Sequence, residues 1–413
     1  MTDPSIVSSP SNTKQLLLGS NDFNCSPPSA LGFYLSRDRG STWKLVNCMP
    51  SIITKQHVYW PSEEPSVGYD RNGNAYIGGS YFDSDGHSFG LLAVQKSPDG
   101  THWNRPVIAL QSPRHTYPFE TSLAVDTSSS SSWVNSVYVS GVMVSGNGGK
   151  NQILVSHSRD QGSTWTTATV DSIQQYPEED DFTRTAVAKD GTVYIVWAHC
   201  RGKNGGDGSG SCPTVHMMFS KSTDGGSTWA PPKQIATVEM PPYWLLPNTA
   251  ERVYNYPVAA VDNSSGPYTG NLYVAMYTWT ETYLRAQVIR STDNGNTWSQ
   301  PVPFASKSAT HDQFFPTLSV SPTGLVGAVW LDRRNDPGDI DYQAFAAISS
   351  DGGGSFGTNW QLTQAFSNPR TTGNNWMGDY IGCTWTGSDF IAAWMDSSNG
   401  IDMQEVVGGV RLK

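Results

Sequence analysis

Ser36-Arg37-Asp38-Arg39-Gly40-Ser41-Thr42-Trp43 recurs with little change at Ser158–Trp165, Ser222–Trp229 and Ser291–Trp298. A version one residue shorter runs from Ser97 to Trp103, and a sixth, Ser349–Phe356, closes with Phe. The closing aromatics lie 60, 62, 64, 69 and 58 residues apart. A period of that size marks a repeat architecture.

The residue types describe a turn. Asp and Ser side chains bond nearby backbone amides, and Gly supplies the positive φ of a tight corner. Apolar runs flank each copy, as in Gly32-Phe33-Tyr34-Leu35 before the first and Lys44-Leu45-Val46 after it. Each copy is therefore a β-hairpin corner, with its Trp entering the next strand and the sheet interface. On that reading, replacing a box Trp by Ala is expected to cost about 3–5 kcal/mol.

Strand pairs between the corners count the blades. Pro65–Tyr69 precedes Ala75–Ile77, Ser122–Val125 precedes Val137–Val139, and Thr185–Val187 precedes Val193–Trp197. Val258–Val261 pairs with Leu272–Val274, and Thr317–Val320 with Val326–Trp330. Tyr380–Gly382 with Phe390–Trp394 has no corner after it, and Pro4–Val7 with Leu16–Leu18 makes the seventh pair. The prediction is an all-β, seven-bladed β-propeller, one domain over residues 1–413, with six blades as the alternative.

The corner motif resembles the Asp box, or bacterial neuraminidase repeat, of the sialidase superfamily. That resemblance implies that the boxes are fold elements on the face away from the active site. The wider group includes seven-bladed polysaccharide lyases that cut at uronic acids, some releasing rhamnose from glucuronate. One sialidase mark is missing: no Arg-Ile-Pro occurs to start an arginine triad, and a Tyr/Glu nucleophile pair is not assignable. The resemblance therefore carries the fold without the sialidase activity.

Composition fits many short strands, with 40 Gly, 15 Trp and 18 Tyr and only 15% charged residues. A net charge of −10 argues against nucleic acid as a partner. No apolar run is long enough to span a membrane, and no signal-peptide core follows Met1, so Met1 is expected to open a mature or recombinant chain. Cys25 and Cys48 fall on the same face of one blade, and Cys200 and Cys212 bracket a Gly-rich loop. Two disulfides are expected, with Cys383 a free core thiol, and these suggest an oxidising, extracellular compartment. The sequons at Asn24 and Asn263 agree with secretion. A zinc site from Cys200, Cys212, His199 and His216 is the rival reading.

Sorting residues by face locates the chemistry. The loops opposite the boxes gather His57, His87, His115, His199 and His311, many Arg and many Tyr, but almost no Lys. An acidic chain that collects such groups on one face is suited to an anion or a sugar acid. The entries to the innermost strands offer Glu64, Glu120, Asp181, Arg184, Tyr256 and Asp379. His87, in Tyr81-Phe82-Asp83-Ser84-Asp85-Gly86-His87, is the first choice for proton transfer, with Asp83 or Asp85 orienting it and Tyr81 sharing the work. His115 is second. Arg184 and Arg252 are the choice for the substrate carboxylate, with Tyr256, Arg333 and Glu120 as further substrate contacts. Asp332 is placed to fix a neighbouring Arg. No cofactor is required; the Asp83–His87 run could hold a structural Ca²⁺, though it lacks a full ligand set.

The functional expectation is a secreted, monomeric enzyme that cleaves an acidic, uronate-containing glycan by β-elimination. An exo-glycosidase of sialidase type is the first alternative, for which Glu64, Glu120, Asp181 and Asp379 could supply paired carboxylates. A glycan-binding lectin is the second, although the loops differ from blade to blade.

Overall fold

The structure, a computed structural model, describes residues 1–413 apart from 26–28, 84–88, 114, 146–148, 203–211, 307–309, 374–375 and 413. Its strands form seven successive sheets, each in sequential order. The first blade holds Thr2–Ser8, Leu16–Asn21, Leu31–Ser36 and Lys44–Cys48. The second holds Val58–Tyr69, Ala75–Asp83, Gly90–Ser97 and Val107–Gln111, with Ile52–Ile53 on its first strand. The third holds Thr116–Val125, Val137–Ser145, Lys150–Ser158 and Thr166–Thr169. The fourth holds Glu178–Val187, Val193–Arg201, Thr214–Ser222 and Lys233–Glu239. The fifth holds Val258–Val261, Leu272–Trp279, Leu284–Ser291 and Val302–Pro303. The sixth holds Gln313–Val320, Val326–Asp332, Gln343–Ser349 and Trp360–Gln361. The seventh has only Gly382–Thr386, Asp389–Asp396 and Gln404–Arg411. This is the seven-bladed β-propeller class, and the blade without a box is the one without a fourth strand. Among the described residues there is no α-helix, only the 3-10 turns Pro242–Trp244 and Pro369–Thr372.

The chain divides into two compact units: Ser5–Trp197 with Phe219–Lys233, and Met1–Pro4 with Ala198–Met218 and Gln234–Lys413. The first has its core in Leu17, Phe33, Tyr59, Ile77, Tyr81 and Leu91. The second has its core in Tyr273, Val288, Phe304, Leu318, Trp330 and Phe345.

The boxes are hydrogen-bond cages. In the first, Ser36 Oγ donates to Asp38 Oδ1 at 2.8 Å and accepts from Gly40 N at 2.8 Å. Thr42 N and Thr42 Oγ1 donate to the two oxygens of Asp38 at 2.8 and 2.6 Å. The copies at Asp160, Asp224 and Asp293 repeat the set, and at Asp351 Ser355 stands in for the Thr. The carboxylate thus satisfies orphan donors of the corner, and those bonds hold Asp38, Asp160, Asp224, Asp293 and Asp351 at a pKa of about 2.

One expectation is corrected. Trp43, Trp165, Trp229 and Trp298 are only partly buried. In three of them the indole N–H returns to the Gly carbonyl of its own box, at 3.1 to 3.3 Å. A ring tied to its own turn cannot reach deep into the interface. Among the described residues the fully buried indoles are Trp197, Trp330 and Trp394, on the second strands of their blades. The disulfides are as expected, with Cα–Cα separations of 5.8 Å for Cys25–Cys48 and 6.0 Å for Cys200–Cys212. The second overturns the zinc reading. Cys383 is free, and its thiol lies against Ser319 Oγ at 3.4 Å.

Trp330→Ala should therefore destabilise by about 3–5 kcal/mol, and Trp43→Ala by clearly less. Denaturant melts of the two variants rank them, and equal losses would contradict the assignment.

Candidate functional site

The first strands carry a device that the sequence did not announce. Each of Asp3, Glu64 and Glu120 has a positive φ, of 59°, 64° and 59°. In the second and third blades the ladder to the neighbouring strand slips around these residues, as at a β-bulge. Their carboxylates then reach backbone amides of another blade. Glu64 accepts from Glu120 N at 2.5 Å and Thr121 N at 2.7 Å, and also takes Ser80 Oγ at 2.6 Å. Glu120 accepts from Phe182 N, itself at a positive φ of 64°. Asp3 accepts from Asp379 N at 2.5 Å and Tyr380 N at 3.2 Å. Burial pushes the pKa of all three up, Asp3 to about 7, because the buried site penalises the charged form more than the amides reward it.

Glu120 is therefore committed to the backbone, and we assign it to the fold rather than to substrate contact. Tyr81 is fully buried, and its hydroxyl donates to Pro50 O at 3.1 Å. Burial raises its pKa, which removes it from proton transfer near neutrality. His87 lies outside the described residues.

A different histidine of the second blade is described, His57. His57 stands on the hairpin between Ile52–Ile53 and Val58–Tyr69, with Nδ1 3.9 Å from Asp83 Oδ2. Its side chain is 25% exposed while that of Asp83 is 2% exposed. Neither carboxylate oxygen of Asp83 has a hydrogen-bond partner among the described residues. The imidazole of His57 packs 4.5 Å from the Phe89 ring, and exposed His115 stacks on the other ring contact of Phe89 at 6.4 Å. Asp83 thus faces His57. Adjacency across a strand register (Tyr59 opposite Asp83) brings them together, and no linear motif encodes it.

Two residues past His115, Tyr117 is half-buried with its ring 5.8 Å from Phe82. Burial raises its pKa, and the charges of Asp181, Glu63 and Glu179 raise it further. Asp181 is buried, and no hydrogen bond reaches its carboxyl among the described residues. Burial, then Glu179 and Asp180, hold its pKa well above the usual carboxylate range. Arg184 follows on the same strand, half-buried, with Nη1 on Thr183 O at 3.0 Å. Its charge acts on both Glu64 and Glu120. His57, Asp83, His115, Tyr117, Asp181 and Arg184 all belong to the unit built on Ser5–Trp197.

The other unit holds the remaining candidates. Arg252 makes a two-point pair with Asp379, at 3.1 Å from Nε and 2.7 Å from Nη2, and lies over the rings of Tyr254 and Trp376. Trp376 Nε1 also donates to Asp379, at 3.0 Å. Tyr256 is buried against Tyr380, with ring centroids 5.3 Å apart. Arg333 is fully buried, 3.1 Å from Asp312 and 2.7 Å from Pro247 O. Placed there it bonds a buried carboxyl and does not reach a surface, so the expectation that it touches substrate is corrected. Asp332 fixes Arg334, at 2.5 Å, as the fixed neighbour. Among the described residues no group of His, Cys, Asp or Glu is arranged to hold a metal.

No protein-family model matches the chain, and no curated protein sequence matches it. Solved structures do. A polysaccharide lyase described as a PL25 ulvan lyase aligns with a TM-score of 0.59 at 11% identity, over 96% of this chain and 90% of the lyase. An α-L-arabinofuranosidase of Fusarium graminearum, in complex with arabinobiose, gives 0.53 at 14% identity over 84% and 92%. An intramolecular trans-sialidase of Ruminococcus gnavus, in complex with oseltamivir carboxylate, gives 0.50 at 11% identity over 79% and 89%. The fold is that of the sialidase-like propellers. At such identities the likeness is one of architecture, and the chemistry must come from the residues above.

The carboxyls predict the pH profile of stability. Box carboxylates at about 2 are charged in the folded chain where the unfolded chain has begun to protonate, so their contribution is lost as pH falls from about 4 towards 2. Buried carboxyls work the other way. Asp3, Glu251 and Asp312, at about 7, hold protons that the unfolded chain releases, so stability falls as pH rises from about 4 to 7. Thermal melts across pH should peak between about pH 4 and 5; a maximum above neutrality would contradict the burial of these groups.

Proposed function

We propose that the chain is a carbohydrate-active enzyme that cleaves an acidic, uronate-containing glycan by β-elimination, with its chemistry in the unit built on Ser5–Trp197. One observation carries this reading. Of the four carboxyls a hydrolase could pair, Glu64 and Glu120 are spent on backbone amides and Asp379 on Arg252. Only Asp181 keeps its oxygens free of described partners. Asp181 with Arg184 on the same strand, and Asp83 facing His57, suit elimination, which needs no carboxylate nucleophile.

The roles follow from the chemistry. A uronate C5 proton is acidic only when the adjoining carboxylate is neutralised; Arg184 supplies charge for this, as a fork that lysine cannot copy. His57, oriented by Asp83, removes the C5 proton. The electron pair left on C5 forms the C4–C5 double bond as the C4–O bond breaks. Asp181, kept protonated by burial, gives its proton to the departing oxygen. His115 and His87 are the alternative bases. The likeness to the ulvan lyase supports the same class. The arabinofuranosidase neighbour supports hydrolysis as the second reading, with the raised pKa of Asp181 suited to a general acid there too. The two disulfides support action in an oxidising, extracellular setting.

A panel of acidic plant and microbial polysaccharides tests this, read by near-ultraviolet absorbance of the unsaturated uronate and by reducing ends. Both signals are expected together; reducing ends alone would make the enzyme a hydrolase, and binding without either would make it a lectin. His57→Ala should lower kcat by about 10² to 10⁴ with the fold intact, and Arg184→Lys should lower kcat/KM. Full activity in His57→Ala would move the base to His115 or His87.

A further inference from the structure

Among the described residues Trp60 is the most exposed tryptophan, at 43%. An indole left in water forgoes the burial that the other indoles gain. Trp60 stands on Val58–Tyr69, three residues after His57, and pairs with Phe82 of Ala75–Asp83. Phe82 in turn pairs with Gly90 of Gly90–Ser97. Residues directly opposite each other in a sheet share a face. Trp60, Phe82 and Gly90 therefore form one row across the second blade, and Tyr59 and Asp83 lie on the other face.

Tyr117 of the third blade extends the row. Its ring meets that of Phe82 edge-on, with centroids 5.8 Å apart. Gly90 makes the approach possible, because a Cβ there would lie 2.8 Å from Tyr117 Cβ and Pro118 Cδ. The result is an aromatic wall, buried at Phe82, half-buried at Tyr117 and open at Trp60. Its surroundings are acidic. Glu63 is on the strand of Trp60, and Glu178, Glu179 and Asp181 stand at the start of Glu178–Val187, the strand that also carries Arg184. The charges of Asp181, Glu63 and Glu179 act on Tyr117. All of these residues belong to the unit built on Ser5–Trp197.

We propose that Trp60, backed by Phe82 and Tyr117, is the stacking platform for an uncharged sugar next to the uronate in the substrate. This rests on the reading of the chain as an enzyme of acidic glycans. The wall is on the sheet face opposite Asp83, so it serves the neighbouring sugar and not the uronate that His57 attacks. A second uronate set there would meet Glu63 and Glu179 with like charge. An uncharged ring has no such penalty, and its C–H face covers the indole and removes both surfaces from water. The substrate is thereby narrowed to polymers in which uronates and uncharged sugars alternate.

Affinity electrophoresis of the whole chain tests this, in gels that hold hyaluronan, gellan or rhamnogalacturonan as mixed polymers and polygalacturonate or alginate as polyuronates. At least one mixed polymer should retard the unaltered protein. Trp60→Ala should weaken that binding by about three- to tenfold, the range of one aromatic contact, while Trp60→Phe keeps most of it. Binding to the polyuronates should not respond to Trp60→Ala. On a mixed polymer that is cleaved, Trp60→Ala should raise KM by the same factor and change kcat less. The platform is overturned if no mixed polymer retards the unaltered protein, if Trp60→Ala is retarded as strongly as the unaltered chain, or if its loss is as large on a polyuronate. Retardation that depends on Trp60 without any cleavage would sink the enzymatic reading and keep the platform; cleavage with an unchanged KM in Trp60→Ala would do the reverse.

Discussion

The constraint on which this structure leans is the fate of backbone amides where the first strands bulge. A positive-φ residue breaks the ladder and leaves N–H groups pointing away from their own sheet, where an unmet donor costs about 1–3 kcal/mol. Carboxylates answer it: Glu64 on Glu120 and Thr121, Glu120 on Phe182, Asp3 on Asp379 and Tyr380. Asn21 does the same neutrally for Glu64 N, at 3.1 Å. Each acid both adopts the strained conformation and repairs its neighbour's.

This has an electrostatic consequence. A carboxylate that takes amide bonds in a dry setting is pulled two ways, since the amides favour charge and burial opposes it. Burial wins at Asp3, Glu64 and Glu120. In the exposed boxes the same bonding pattern meets water, and there the hydrogen bonds win. The carboxyl group, making similar bonds, thus has its pKa raised at the strand entries and lowered at the corners.

The sequence disclosed the fold and concealed most of the site. Corners are local: Ser, Asp, Gly and Thr within eight residues make every bond of a box, so the motif, blade count and both disulfide pairs could be read from the chain. Burial is not local. The same Trp that marks a box folds back on its own Gly, while Trp330, in an unremarkable strand, fills the core. Tyr81 and Glu120 had the right chemistry at the right end of their strands, yet one is buried on Pro50 and the other serves an amide 62 residues away. His57 and Asp83 are joined by strand register rather than by spacing, and the only sequence signal was the common end of the blade at which both fall.

The same competition narrows where catalysis can reside. A carboxyl that holds a bulge cannot leave its amides during a reaction cycle without exposing them again, so the groups most conspicuous at the strand entries are the least available for proton transfer. A catalytic acid must instead be buried enough to keep its proton and free enough to give it away. Asp181, whose pKa burial raises, sits one residue before Phe182, which has a positive φ and whose amide is already satisfied by Glu120. Alternation along the strand sends Asp180 and Asp181 to opposite faces, and Asp180 accepts from the indole of Trp197. Removing the staple at Glu120 would therefore disturb the acid next to it, so the fold's repair of its own strain is also what holds that acid in place.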